Sequence, residues 1–150
     1  MNTDKELLCS EKQAITADAV STDAILMKGL LGADRSRNLR AFCQIEADFT
    51  PDGAATGITF EIIQADNAAL TTNVQSLYST GAIANGASNV NLKAGKRVID
   101  TPLPKVTKDY LGYRYTTAAG DYTTGAVTAG LVVGTDTALA ERPLGETHGW

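Results

Sequence analysis

Histidine is nearly missing from this chain, and much catalytic and metal chemistry goes with it. The single one, His148, sits close to the end, where a lone imidazole reads as solvated rather than functional. One histidine builds no zinc cluster, and no Cys-x-x-Cys replaces it. The two cysteines, Cys9 and Cys43, are too few for a disulfide scaffold. Cys43 falls in the alternation Leu39, Ala41, Cys43, Ile45, Ala47 and reads as a small buried hydrophobe. A Cys9–Cys43 disulfide is the lesser alternative, since a reducing cytoplasm disfavours it. The Gly-x-Ser-x-Gly elbow, the Gly-x-x-x-x-Gly-Lys phosphate loop, the Gly-x-Gly-x-x-Gly fingerprint and the calcium loop of alternating Asp and Asn are all absent. No cofactor and no metal are expected.

Long apolar runs are also lacking. Nothing approaches the ~20 apolar residues of a membrane span, so no membrane partner is expected. The opening Met-Asn-Thr-Asp-Lys-Glu-Leu-Leu has no apolar signal-peptide core, which reads as a soluble protein made in a cytoplasm. Basic charge is in deficit: 13 Lys and Arg against 17 Asp and Glu give a net −4. Without a basic stripe, nucleic acid is not an expected partner. Aromatics make up only 6%, and the many Thr, Gly, Asn and Asp favour short strands and tight turns.

What is present is period-two alternation along most of 150 residues, enough for one domain burying roughly 68% of its unfolded surface. Strands are expected at Gln13–Ala17, Ser21–Met27, Leu39–Ala47, Gly57–Ala65, Asn73–Ser79, Asn89–Lys93, Arg97–Leu103, Tyr110–Thr117 and Ala126–Val133. Turn signals separate them at Thr50-Pro-Asp-Gly53, Asn85-Gly86, Ala94-Gly95 and the Pro102/Pro104 pair. Leu111, Tyr113 and Tyr115 share one face of their strand; Val127, Ala129, Leu131 and Val133 share one face of theirs. The Gly-containing link between these two runs reads as a hairpin loop joining paired strands. The expected fold is all-β: a jelly-roll-like sandwich of eight or nine short antiparallel strands with extended terminal arms. Residues 1–12 form the N-terminal arm, 13–133 the sandwich domain and 134–150 the C-terminal tail. Thr3-x-x-Glu6 reads as a capping box on one short turn or, equally, as part of an extended arm.

The chemistry-bearing side chains form no reactive constellation. Glu46, Asp48 and Glu61 fall on outward positions and read as solvated, so no catalytic residues are assigned and no enzyme is expected. The one basic concentration, Arg35, Arg37 and Arg40, reads as a charged loop or as a docking patch for an acidic partner.

Four stretches carry a resemblance: 4–16 with Ser21-Thr-Asp23, Phe49-Thr-Pro-Asp-Gly-Ala-Ala-Thr56, Ser79-Thr-Gly-Ala-Ile-Ala84, and Tyr110–Val133. In order and spacing they resemble the jelly-roll cement, or decoration, proteins of tailed bacteriophage capsids. The chain departs from that pattern in running on to Trp150 and in a looser match over Gly29–Asn38. The resemblance implies a non-enzymatic homotrimer on the outer virion surface. Its partner would be the major capsid protein of the same phage, met at threefold positions. A small-residue face at Ala126, Thr128 and Gly130 would suit packing between subunits. The only tryptophan, Trp150, ends a Gly- and Pro-punctuated tail and would suit an aromatic anchor. The alternative is a receptor- or carbohydrate-binding module of a tail appendage, with Tyr78, Tyr110 and Tyr122 as candidate sugar-facing aromatics.

Overall fold

The computed structural model describes residues 5–28 and 39–133. A 3-10 turn at Lys5–Leu7 leads into β1 (Leu8–Ala14), followed by β2 (Ala19–Val20), β3 (Ile25–Leu26), β4 (Leu39–Pro51) and β5 (Gly57–Ala65). Next come β6 (Gln75–Ala84), a 3-10 segment at Ala87–Leu92, β7 (Arg97–Pro102), β8 (Tyr110–Ala118) and β9 (Tyr122–Val133). One sheet runs β1-β9-β4-β7; the other runs β2-β8-β5-β6, with β3 also on β8. Every pairing between these strands is antiparallel. Since β2 and β3 are two pieces of one edge along β8, the chain wraps first strand to last, second to second-last, and inward to β5·β6. That is the jelly-roll order, and it confirms the expected all-β sandwich.

One expected pairing is wrong. β8 and β9 are not a hairpin: β8 bonds to β5, β2 and β3, while β9 bonds to β1 and β4 in the facing sheet. Period-two alternation is the same for two strands that share a sheet and two that face each other across a core. The link instead crosses between sheets, with Ala119 at φ 64 and Gly120 so close to Ala54 and Ala55 that a Cβ there would lie 2.7 Å from the Ala54 side chain.

The interior is the sum of the two inward faces. Ala41, Cys43 and Ile45 from β4 and Val127, Ala129 and Leu131 from β9 meet Ile58, Phe60 and Ile62 from β5 and Leu111, Tyr113 and Tyr115 from β8. Each large apolar side chain so buried stabilises the fold by about 1.5–3 kcal/mol relative to exposure. Phe49 stands edge-on to Phe60 and Tyr122, at centroid distances of 6.2 and 5.2 Å, and Phe60 edge-on to Tyr115 at 6.0 Å. Both cysteines are free and buried, which removes the disulfide alternative.

A second, smaller cluster lies on the other side of the β5–β8 sheet. Ile63 and Ala65 meet Leu70 from the β5–β6 loop, with Tyr110, Ala24 and Val74 packed around them. Gly112 makes room for it: a Cβ there would lie 2.3 Å from Leu70 Cδ1 and 2.9 Å from Ser21 Oγ.

Strand limits shift at the periphery. The first strand is Leu8–Ala14 rather than Gln13–Ala17, so it begins inside the segment expected to be an arm. Register slips beside Ser10, and Lys12 at φ 46, break the alternation that would have revealed it. The expected strand at Asn89–Lys93 is largely 3-10 structure, with Ser88 and Asn89 both at positive φ after Gly86. Of the two readings of the N-terminus, the short turn stands from Lys5; Thr3 lies outside the described residues.

Candidate functional site

The expected contact residues that the structure describes, Arg40, Ala126, Thr128 and Gly130, fall on the β1-β9-β4-β7 sheet, where β4, β7 and β9 run side by side. Arg40 stands on β4 beside β7. Its Nε donates to Asp100 Oδ1 at 2.9 Å, and its Nη2 reaches the same oxygen at 2.9 Å and the Asp100 carbonyl at 3.3 Å. Arg97 Nη1 takes the other carboxylate oxygen at 3.3 Å, and the Arg97 guanidinium lies 5.6 Å from the centroid of the Phe42 ring. Two guanidiniums therefore share one carboxylate. At this exposure each pair contributes about 0–1 kcal/mol, so the cluster sets orientation more than stability. Arg35 and Arg37, expected beside Arg40, lie outside the described residues, as do His148 and Trp150.

The small-residue face is divided by the fold. Ala126 and Thr128 are half-buried on β9, and Thr128 Oγ1 accepts the Lys12 N–H at 3.1 Å. Gly130 is buried beneath the chain's own N-terminal segment: a Cβ there would lie 2.3 Å from Leu7 O and 2.9 Å from Leu8 Cα. Its lack of a side chain serves β1 packing within the chain itself, so the position is closed to a partner.

The carboxylates are spread over both sheets and held by their own neighbours. Glu61 Oε2 accepts from Arg114 Nε at 2.6 Å and Glu61 Oε1 accepts from Ser76 Oγ at 3.2 Å; the Arg114 bond holds the Glu61 carboxyl below its ordinary value. The same bond raises Arg114. Asp48 accepts the Ala94 N–H at 2.8 Å and Lys93 Nζ at 3.0 Å, which lowers it. Asp66 is lowered by Lys108 Nζ at 2.8 Å and by Asn73. Asp52 accepts the Ala54 and Ala55 N–H groups and fixes the Pro51-Asp-Gly53 turn. Glu46 sits half-buried on β4, in the sheet opposite Glu61. Among the described residues no group of three or more His, Cys, Asp or Glu side chains is placed to hold a metal ion.

Two features escaped sequence reasoning. Gln64, buried at the end of β5, ties three segments together. Its Oε1 accepts the Thr107 N–H at 2.8 Å, and its Nε2 donates to Gln75 Oε1 at 2.9 Å and Thr107 Oγ1 at 3.1 Å. An open depression of about 280 Å³ lies along β2 and β8, lined by Asp18, Ala19, Val20, Arg114, Tyr115 and Thr116. Neither carries a local sequence signal, since the groups that meet are far apart along the chain.

The tyrosines separate by depth. Tyr113 and Tyr115 are fully buried, as their inward register implies, and Tyr122 is 3% exposed, with its hydroxyl 2.5 Å from Asn85 Oδ1. Tyr110 packs into the outer cluster, which leaves Tyr78, 39% exposed, as the open candidate among the three sugar-facing aromatics.

No curated protein matches the chain. A family model described as Bbp16 matches residues 9–131, from within the first sheet strand to near the end of the last. That span covers most of the sequence, and the chain belongs to the Bbp16 family.

Proposed function

We propose that this protein is a non-enzymatic cement protein that binds the outer surface of a tailed-phage shell and stabilises the assembled capsid. The observation that carries the reading is the jelly-roll strand order, found in a chain whose wording resembles the decoration proteins. In this reading the partner is the major capsid protein, the protein is made in the host bacterial cytoplasm, and it acts as a homotrimer at threefold positions. A threefold site calls for a threefold ligand because each subunit then repeats one contact. A binder that recognises only the assembled shell stabilises it by mass action, and about 1,600 Å² per contact suffices for a specific interface. With Gly130 closed, the β4–β7 surface around Arg40 remains the described candidate for contact, through a guanidinium facing an acidic partner.

The test is the stoichiometry of this chain against the major shell protein in purified particles, by quantitative mass spectrometry. The reading expects a simple fraction of the shell subunit count, and particles stripped of the chain that break at lower temperature until it is added back. A handful of copies per particle would place it on a tail appendage and favour the carbohydrate-binding alternative.

A further inference from the structure

Edge strands invite pairing with another chain, and proteins blunt them with charge, proline, brevity or bulges. Among the described strands, three sheet edges follow that practice. β7 is short, carries Arg97 and Asp100, and ends on Pro102. β1 carries Glu11 and Lys12 and slips register twice. β2 and β3 are two residues each.

The fourth edge, β6, lacks the first three of these protections. It is ten residues long, without proline, and the sequence from Asn67 to Leu92 contains no Asp, Glu, Lys, Arg or His. A second copy of the chain is the partner such an edge would take. Antiparallel pairing about a twofold axis would set β6 against β6 with no like charges opposed.

The backbone of β6 answers this in its own way. Ser79 pairs with Glu61 and Ala82 with Thr59, so Thr80 and Gly81 together oppose Phe60 in a bulge. Gly81 takes φ +66, where a side chain would be strained. Thr80 Oγ1 accepts the Phe60 N–H at 3.2 Å and donates to Gly81 O at 2.8 Å. Ser79 Oγ accepts the Gly81 N–H at 3.1 Å. Asn91 Nδ2 donates to Ala84 O at 2.9 Å. Three backbone groups of the strand are thus bonded to nearby side chains, and the bulge twists the edge out of line. A second slip, at Leu77, turns that residue toward the core.

We propose that the Ser79-Thr80-Gly81 bulge, with Asn91, keeps the β6 edge closed to strand addition, and that the partner it excludes is β6 of a second copy.

The test is the double variant Ser79→Ala/Asn91→Ala, compared with the wild type by sedimentation velocity over a range of concentrations and by amide exchange. Removing two caps leaves Gly81 N–H and Ala84 C=O open. Self-association is expected to tighten on the order of tenfold, and amides of residues 79–84 should gain protection as concentration rises. Adding Tyr78→Lys sets like charges against each other on the paired edges and is expected to return the mass to the wild-type value. A double variant that melts like the wild type and keeps its mass would overturn the proposal, as would extra association that survives Tyr78→Lys. Should the double variant fail to fold, Ser79→Ala alone, an exposed change, is read by the same criteria. Because the readout is a change from the wild type's own mass, the result is independent of whether the chain decorates a shell.

Discussion

Tyr113 on β8 donates its hydroxyl to the backbone oxygen of Gly130 on β9, 2.7 Å away, and so ties one sheet to the other inside the core. The bond is fully buried, and Gly130 is also the position on which Leu7 and Leu8 rest. Tyr113→Phe keeps the ring and removes the donor. The expected cost is about 1–2 kcal/mol, since the Gly130 carbonyl loses a partner where water does not reach. Thermal unfolding should fall by several degrees; a melt equal to the wild type would mean that the inter-sheet bond contributes nothing.

High pH should expose the same core in another way. Burial pushes the Cys9 thiol from its ordinary 9.0 up to about 12, and pushes Cys43, Tyr113 and Tyr115 up as well. Between the unfolded and folded values the unfolded chain has released protons that the folded chain keeps, so stability falls as pH rises. The contribution is full below about pH 9 and declines above it, at about 1.4 kcal/mol per pH unit for each group ionised only when unfolded. Urea midpoints measured from neutral to strongly alkaline pH should drop steeply above about 9, with the tyrosinate absorbance of the buried Tyr113 and Tyr115 appearing together with unfolding. A Cys9→Ala/Cys43→Ala variant should lose the earliest part of that slope. A midpoint that stays level well above pH 10 would contradict the burial argument.

The sequence shows faces more readily than partners. Gly57–Ala65 matches β5 at both ends, and the inward sets Ile58/Phe60/Ile62 and Leu111/Tyr113/Tyr115 stand as the alternation places them. Alternation reports which side of a strand is buried and is silent on which strand lies beside it. That is why β8 and β9 were expected to pair with each other. The bond from Glu61 to Arg114 spans 53 residues and joins two strands through register alone, so no local pattern announces it. Gly130 invited a reading as a packing surface; only the path of β1 reveals that the chain covers it itself.

Gly112 offers a check on the outer cluster. A methyl group there collides with Leu70 and with Ser21, whose hydroxyl accepts the Tyr113 N–H at 3.1 Å. Gly112→Ala should cost about 1–3 kcal/mol by overpacking. Leu70→Ala alone opens space in the same place, so the double variant Leu70→Ala/Gly112→Ala should be less destabilised than the sum of the singles. Strict additivity in chemical denaturation would show that the two sites do not press on each other.

The last prediction concerns the tail, and it separates folding from binding. The ladder of β9 already closes at Leu39↔Val133, so removing residues 134–150 should leave the melt of the sandwich nearly unchanged. If Trp150 anchors the protein on a neighbouring shell subunit, its loss removes a buried aromatic contact, which at interfaces costs about 2 kcal/mol or more. Binding to particles stripped of the chain should then weaken about thirtyfold, both for the truncation and for Trp150→Ala. Trp150→Phe should retain part of the affinity, because a smaller ring still fills much of the same pocket. Equal decoration by full-length and truncated protein would remove the anchor and leave the sandwich surface around Arg40 to carry the contact.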